Sequence, residues 1–254
     1  MEFLQLFQNA LPAYTLIAFR ASGLFLTAPI FGQQRLPQTV KVLFALILAA
    51  LIAPHIAHGP LPQDSFNYLV MALLELITGI IYGWSASLIF EGVILAGQFI
   101  GLQMGFAQAN ILNPVSNTQR PLLSELYFLM TLFLFFAIDG HHLFILAFSK
   151  SYQAVPLGHF VFNELVLQRI FYLFSQIFVV ALIIAAPING VLTLIDLLMG
   201  LIARTAPQMN VLILSFAIKI YIGILTLLFS LSFTFYFIRD LLQRLSEHLV
   251  HILG

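Results

Sequence analysis

An all-α, membrane-associated protein is the fold class this sequence predicts, and three observations predict it. Of its 254 residues, 61% are hydrophobic and only 8% carry a formal charge, against about 45–50% and about 25% in soluble domains. The apolar residues run in stretches close to or beyond the ~20 that a helix needs to cross a ~30 Å hydrocarbon layer. Short alternating segments of the kind that build membrane β-barrels are not visible. Ten basic and ten acidic residues cancel, which leaves no clustered basic surface for nucleic acid. The absence of Cys excludes a disulfide framework, thiol catalysis and Cys-ligated metals.

Roughly six long hydrophobic segments follow in order, at about 13–32, 42–58, 68–100, 122–148, 170–203 and 211–238. The start, Met1-Glu2-Phe3-Leu4, lacks a positive n-region and a small-residue cleavage site, so the first segment is expected to remain in the mature protein. Pro29 and Gly32 to Pro37 make the first connection, and Pro54 to Pro62 the second. Residues 150–168 read as a more polar linker, and Arg204 to Gln208 closes the fifth segment. These breaks predict long, broken helices arranged as helical hairpins.

Several segments carry charges that ordinary spans avoid. Arg20 lies in the first, Glu75 and Glu91 in the third, Asp139 in the fourth, Asp196 in the fifth and Lys219 in the sixth. A charge at the centre of an inserting helix costs about 2.5–3.5 kcal/mol, so these groups should face protein or water. Pro187 and Asn189-Gly190 are expected to interrupt the fifth segment. With six spans, Arg35, Lys41, Arg120 and Arg204 fall on one side and Lys150, Arg169, Arg239 and Arg244 on the other. The positive-inside rule therefore assigns no orientation, which is the pattern expected where assembly with partners settles topology.

The densest motif is Gly97, Gly101 and Gly105, glycines at four-residue spacing on one helical face, where backbones can approach closely. Gln108, Asn110, Asn113-Pro114 and Pro121 follow. Two readings stand: a packing seam followed by an ordinary loop, or a loop lining a passage with amides, sealed by Met and Phe. For Gly79 and Gly83, packing suffices. Asp139-Gly140-His141-His142 puts adjacent histidines in different directions, against metal binding, and fits a helix end and turn. Gly83-Trp84-Ser85-Ala86-Ser87 lacks the final glycine and the strand context of a serine-hydrolase elbow. Arg20, Glu75, Glu91 and Asp196 could form the relay of a self-contained secondary transporter around a broken-helix site. They could equally pair across helix or subunit interfaces, and Asp196 could meet Lys219 across a hairpin.

In order and spacing, these motifs resemble the FliR family of flagellar biosynthetic proteins and their virulence relatives, components of the type III secretion export gate. The carriers are Arg20 with Ala28-Pro29-Ile30-Phe31-Gly32, Pro37 and Lys41; Gly101-Leu102-Gln103-Met104-Gly105-Phe106-Ala107 through Asn113-Pro114 to Pro121; Asp139-Gly140-His141-His142; Val155-Pro156-Leu157-Gly158; and Ala186-Pro187 through Asp196 and Arg204 to Val211, followed by Lys219. The resemblance implies a non-enzymatic, all-helical subunit of the bacterial inner membrane, in a flagellar basal body or an injectisome. It implies one copy assembled with FliP-like and FliQ-like subunits and other export-apparatus membrane proteins, in a conical helical complex that conducts unfolded export substrates and also meets membrane lipid. No nucleic acid and no cofactor is implied. About 1–150 would be the FliP-like portion and about 151–254 the FliQ-like portion. The family's plug loop falls on about 105–121, with Gly101 and Gly105 at its root, Phe106 in the constriction, and Gln108, Asn110, Asn113 and Pro114 in the loop. Arg20, Glu75, Glu91, Asp196, Arg204 and Lys219 would be polar residues of helix or subunit interfaces. Asn113-Pro114 stands where many relatives have Asp-Pro, which leaves the loop without that acid.

Overall fold

The computed structural model describes residues 2–29, 37–56, 64–106, 121–206 and 208–251, with side chains from residue 11 to residue 244 within these ranges. The described residues form seven α-helices and one short 3-10 turn, and no strand. They are α1 (Glu2–Thr27), α2 (Gln38–Ile52) with the turn Ala53–His55, α3 (Ser65–Met104), α4 (Leu122–Ala137), α5 (Gly140–Ala154), α6 (Glu164–Thr205) and α7 (Val211–His251).

Local chemistry sets the helix starts. Asn163 caps α6 by accepting from the Val166 N–H at 2.9 Å, and Asn210 caps α7 through Ile213 N–H at 3.4 Å; each satisfies a donor that the first turn leaves free. Pro37 and Pro121 precede α2 and α4 in extended conformation. Glu164 in the first turn of α6 and Arg204 in its last each carry the sign that suits the helix dipole there.

Four helices are long and apolar enough to cross a membrane: Gln38–His55, Ser65–Met104, Glu164–Thr205 and Val211–Arg244. The expected fourth segment is instead two helices, α4 and α5, bent by 73°. The first apolar helix, Leu11–Thr27, is shorter. The six-segment reading thus becomes four candidate spans, or five if the bent pair counts as one.

The breaks fall differently from the expectation at two places. Residue 187 does not break its helix: α6 runs continuously through Pro187. Pro187 is exposed, while Ile184, Ala185 and Ile188 beside it are buried, so packing along that face holds the helix despite the missing N–H. The helix end expected at Asp139-Gly140 is present: α4 and α5 part at Asp139, whose φ of 55° lies in the left-handed region that Asp tolerates better than most residues. The expected polar linker is also shorter, spanning 155–163, and Val155, Leu157 and Phe160 in it are buried.

The chain divides into two compact units, Met1–Leu88 with Asp139–Leu173 and Gln243–Gly254, and Ile89–Ile138 with Phe174–Leu242. In the first, α1 and α3 meet backbone to backbone. A Cβ on Gly79 would strike the Arg20 carbonyl, one on Gly83 the Leu24 carbonyl and the Thr27 hydroxyl, and one on Gly23 the Leu76 carbonyl. Thr27 Oγ1 donates across the seam to Ile80 O at 3.1 Å, and Tyr68 Oη to Pro12 O at 3.0 Å. α2 packs on α1 through Phe25 and Phe44, with ring centres 6.1 Å apart, and Tyr14 Oη donates to Leu46 O at 3.2 Å. In the second unit, Phe90 of α3 sits edge-on to Phe135 at 5.8 Å and tilted to Phe128 at 6.3 Å. A Cβ on Gly97 would lie 2.7 Å from the Ser124 Cα of α4.

The glycines test this account. Gly79→Ala should destabilise the detergent-solubilised chain by about 1–3 kcal/mol, the usual cost of overpacking. Gly101→Ala, whose Cβ would meet no atom within 4 Å, should leave stability unchanged or raise it by up to ~1 kcal/mol through helix propensity. Unfolding by SDS titration, followed by far-UV circular dichroism, measures both. Equal losses would refute the seam.

Candidate functional site

Two clusters bring charged side chains of the apolar helices together, a buried one in the first unit and a partly solvated one in the second. In the first, Arg20 of α1 and Glu75 of α3 are both completely buried. Arg20 Nε donates to Glu75 Oε2 at 2.5 Å and Nη2 to Oε1 at 3.0 Å, a bidentate pair. Nη2 also donates to Val155 O at 3.0 Å and Nη1 to Ser151 Oγ at 3.3 Å. The Gly158 N–H donates to Glu75 Oε1 at 2.7 Å. The guanidinium carbon lies 4.0 Å from the centre of the Tyr152 ring, a cation–π contact that desolvation strengthens. The planar fork of Arg suits a carboxylate here as an ammonium would not.

This cluster joins α1 and α3 to the end of α5 and the linker after it. Gly158 carries a φ of 74°, and Met71 of α3 occupies the space where its Cβ would be; only glycine fits there without strain. Sequence reasoning chose Arg20 and Glu75 but missed Ser151, Tyr152, Val155 and Gly158 as their partners. The available signal was Val155-Pro156-Leu157-Gly158, a turn motif in a stretch otherwise read as a linker.

The second cluster lies in the other unit. Asp196 of α6 forms an ion pair with Lys219 of α7 and accepts a hydrogen bond from Gln103 Nε2 of α3 at 3.0 Å. The Asp196 side chain keeps 39% exposure and Lys219 keeps 14%, so this pair is partly solvated and weaker than the first. One carboxylate thus ties three helices together at the C-terminal end of α3. Met104, the next residue after Gln103, is buried and fills the space above Gly223 of α7.

The three glycines of the densest motif prove to have three different surroundings. Gly97 packs against α4, a Cβ on Gly101 would meet no atom of the described residues within 4 Å, and Gly105 takes a φ of 89° immediately after α3 ends. The four-residue spacing therefore does not make one continuous seam. Phe106 is half-buried; Gln108, Asn110, Asn113 and Pro114 lie outside the described residues. Glu91 and Arg204 are exposed and join neither cluster. Arg20 pairs with Glu75 within the first unit and Asp196 with Lys219 within the second.

The buried pair gives a testable asymmetry. Arg20→Met alone strands a buried carboxylate and should cost ~3–5 kcal/mol of unfolding stability. Arg20→Met with Glu75→Leu removes both charges and should recover most of that loss. The same SDS titration reads the difference, and a double variant as unstable as the single one would show that packing, not charge, matters at this site.

Comparison with known proteins now locates the chain. The family model for bacterial export proteins, family 1, matches residues 11–245. The flagellar biosynthetic protein FliR of Bacillus subtilis is 30% identical over 247 residues, which cover 96% of this chain and 95% of that protein. FliR of Escherichia coli is 30% identical over 205 residues, covering 81% and 78%. FliR of Aquifex aeolicus is 28% identical over 214 residues, covering 84% and 83%. A match over nearly the whole length, together with the all-helical apolar fold, establishes that the chain belongs to the bacterial export proteins, family 1.

Proposed function

We propose that this chain is a non-enzymatic subunit of the flagellar protein-export gate in a bacterial inner membrane. FliP-like and FliQ-like subunits would surround it, and the assembly would pass unfolded substrates. Its relatives are flagellar biosynthetic proteins over nearly their full length, and the family is one of export proteins.

The observation that carries the multi-subunit reading is the length of the apolar helices. α6 has 42 residues, about 63 Å at ~1.5 Å per residue. A hydrocarbon layer is ~30 Å thick, and even a 40° tilt shortens the helix only to about 48 Å. Yet large apolar side chains are exposed along its whole length, from Leu165 and Phe171 through Leu182 to Leu197 and Leu201. Lipid can cover only part of such a face, and in water the remainder would be a large exposed apolar patch. Partner helices meet that requirement.

In this reading residues 105–121 plug the passage at rest. Phe106 contributes to an apolar constriction, and Gln108, Asn110 and Asn113 line the loop without fixing a counter-ion. Gln103 and Met104, which hold the end of α3 to α6 and α7, would anchor the root of the loop. Driving energy comes from another component, because the chain has no Gly-x-x-x-x-Gly-Lys phosphate-binding motif.

Two measurements test the proposal. A deletion within 107–120 should raise the ion conductance of membranes containing the assembled complex severalfold while leaving assembly intact. Unchanged conductance in a correctly assembled deletion complex would sink the plug. The intact chain should elute with helical membrane partners, and a lone chain that binds a small solute would instead support a transporter.

A further inference from the structure

Helix α7 is amphipathic in the opposite sense to a helix of a soluble protein. Its inward face carries small and polar groups, Gly223 against Met104, the buried hydroxyls of Ser230 and Thr234, and the Lys219 ion pair, with Leu227 among them and Ile238 following. At 100° per residue, the opposite face carries Tyr221, Leu225, Leu228, Phe229 and Tyr236. All five are exposed, and Phe229 reaches 86%. Ser232 is the one small residue on that face.

The ends of this face are chemically marked. Residues 220–238 carry no charge and span roughly 28 Å at ~1.5 Å per residue, close to the ~30 Å of a hydrocarbon layer. The inward-facing Lys219, held in its ion pair, precedes the run on one side, and Arg239, exposed, follows it on the other. Tyr221 and Tyr236 stand just inside those two borders, where amphipathic rings settle at the two membrane–water interfaces.

We propose that this face of α7 is a lipid contact, with acyl chains against Leu225, Leu228 and Phe229 and anionic headgroup phosphate beside Arg239. A partner helix fits it less well. Helix–helix seams within membranes favour small residues that let backbones approach, and α7 turns Gly223, Ser230 and Thr234 inward. The outer face presents large side chains and a cation of the sign that complements phosphate. Arg204, in the last turn of α6, then lies beyond the hydrocarbon on the Lys219 side.

The chain has no Cys, so single nitroxide labels test the face directly. The variants are Tyr221→Cys, Leu225→Cys, Phe229→Cys and Tyr236→Cys. Each is purified in the native assembly that the chain forms and returned to phosphatidylethanolamine–phosphatidylglycerol vesicles. At 225 and 229, collisions with oxygen should exceed those with a water-soluble nickel chelate severalfold, and the ratio should fall toward 221 and 236. Labels at 225 and 229 that are immobile and shielded from both reagents would place a protein partner there and overturn the proposal. Labels at those positions favouring nickel would place water there, with the same consequence. The result does not depend on which subunits co-purify, so it can fail while the export-gate reading stands, and the reverse.

Discussion

A guanidinium with no access to water constrains the first unit of this protein. Arg20 can remain charged inside an apolar helical bundle only if its donors find acceptors within the fold. Glu75 supplies two, Val155 a carbonyl and Ser151 a hydroxyl. Sliding α1 by one turn along α3, about 5.4 Å, would part the two charges with no solvent to take them up. It would also drive side chains into the contacts that Gly23, Gly79 and Gly83 keep open. Charge and sterics therefore select the same register, and the Glu75 carboxylate goes on to hold the turn at Gly158.

The second unit follows a looser rule. Asp196 and Lys219 remain partly solvated, so their pairing carries a smaller penalty for separation. What the carboxylate contributes is connectivity, because it holds the ends of α3, α6 and α7 together just before Gly105. A rigid polar core in one unit and a partly wet node in the other follow from the same principle: polar groups on apolar helices are placed where something can bond them.

Apolar surface is distributed by a related logic. Gly79, Gly83 and Gly97 of α3 and Gly223, Ser230 and Thr234 of α7 face inward, while many large apolar side chains of both helices point out. A chain in water would reverse this arrangement. The outward side chains extend over helices about twice as long as a bilayer core is thick, so lipid covers only part of them. The remainder calls for neighbouring protein, in keeping with a family of export proteins.

Fold class, apolar segments and troublesome charges were legible in the amino-acid sequence, because membrane burial writes itself into composition and run length. Arg20, Glu75, Asp196 and Lys219 stood out because each is costly where it lies. Their partners did not, since Ser151, Val155 and Gly158 are ordinary in type, and two of the three contribute backbone atoms that a sequence cannot mark. Pro187 read as a break because its chemistry is local, yet buried neighbours across α6 overrode it, whereas the helix end read at Asp139-Gly140 is there, made by a backbone angle. Equal spacing suggested one use for Gly97, Gly101 and Gly105, whereas tertiary packing gave them three. Sequence by itself determined what must be hidden from water, since transfer energies belong to residues. Only the tertiary structure decided against what each was hidden, since that depends on helix register and on which backbones meet.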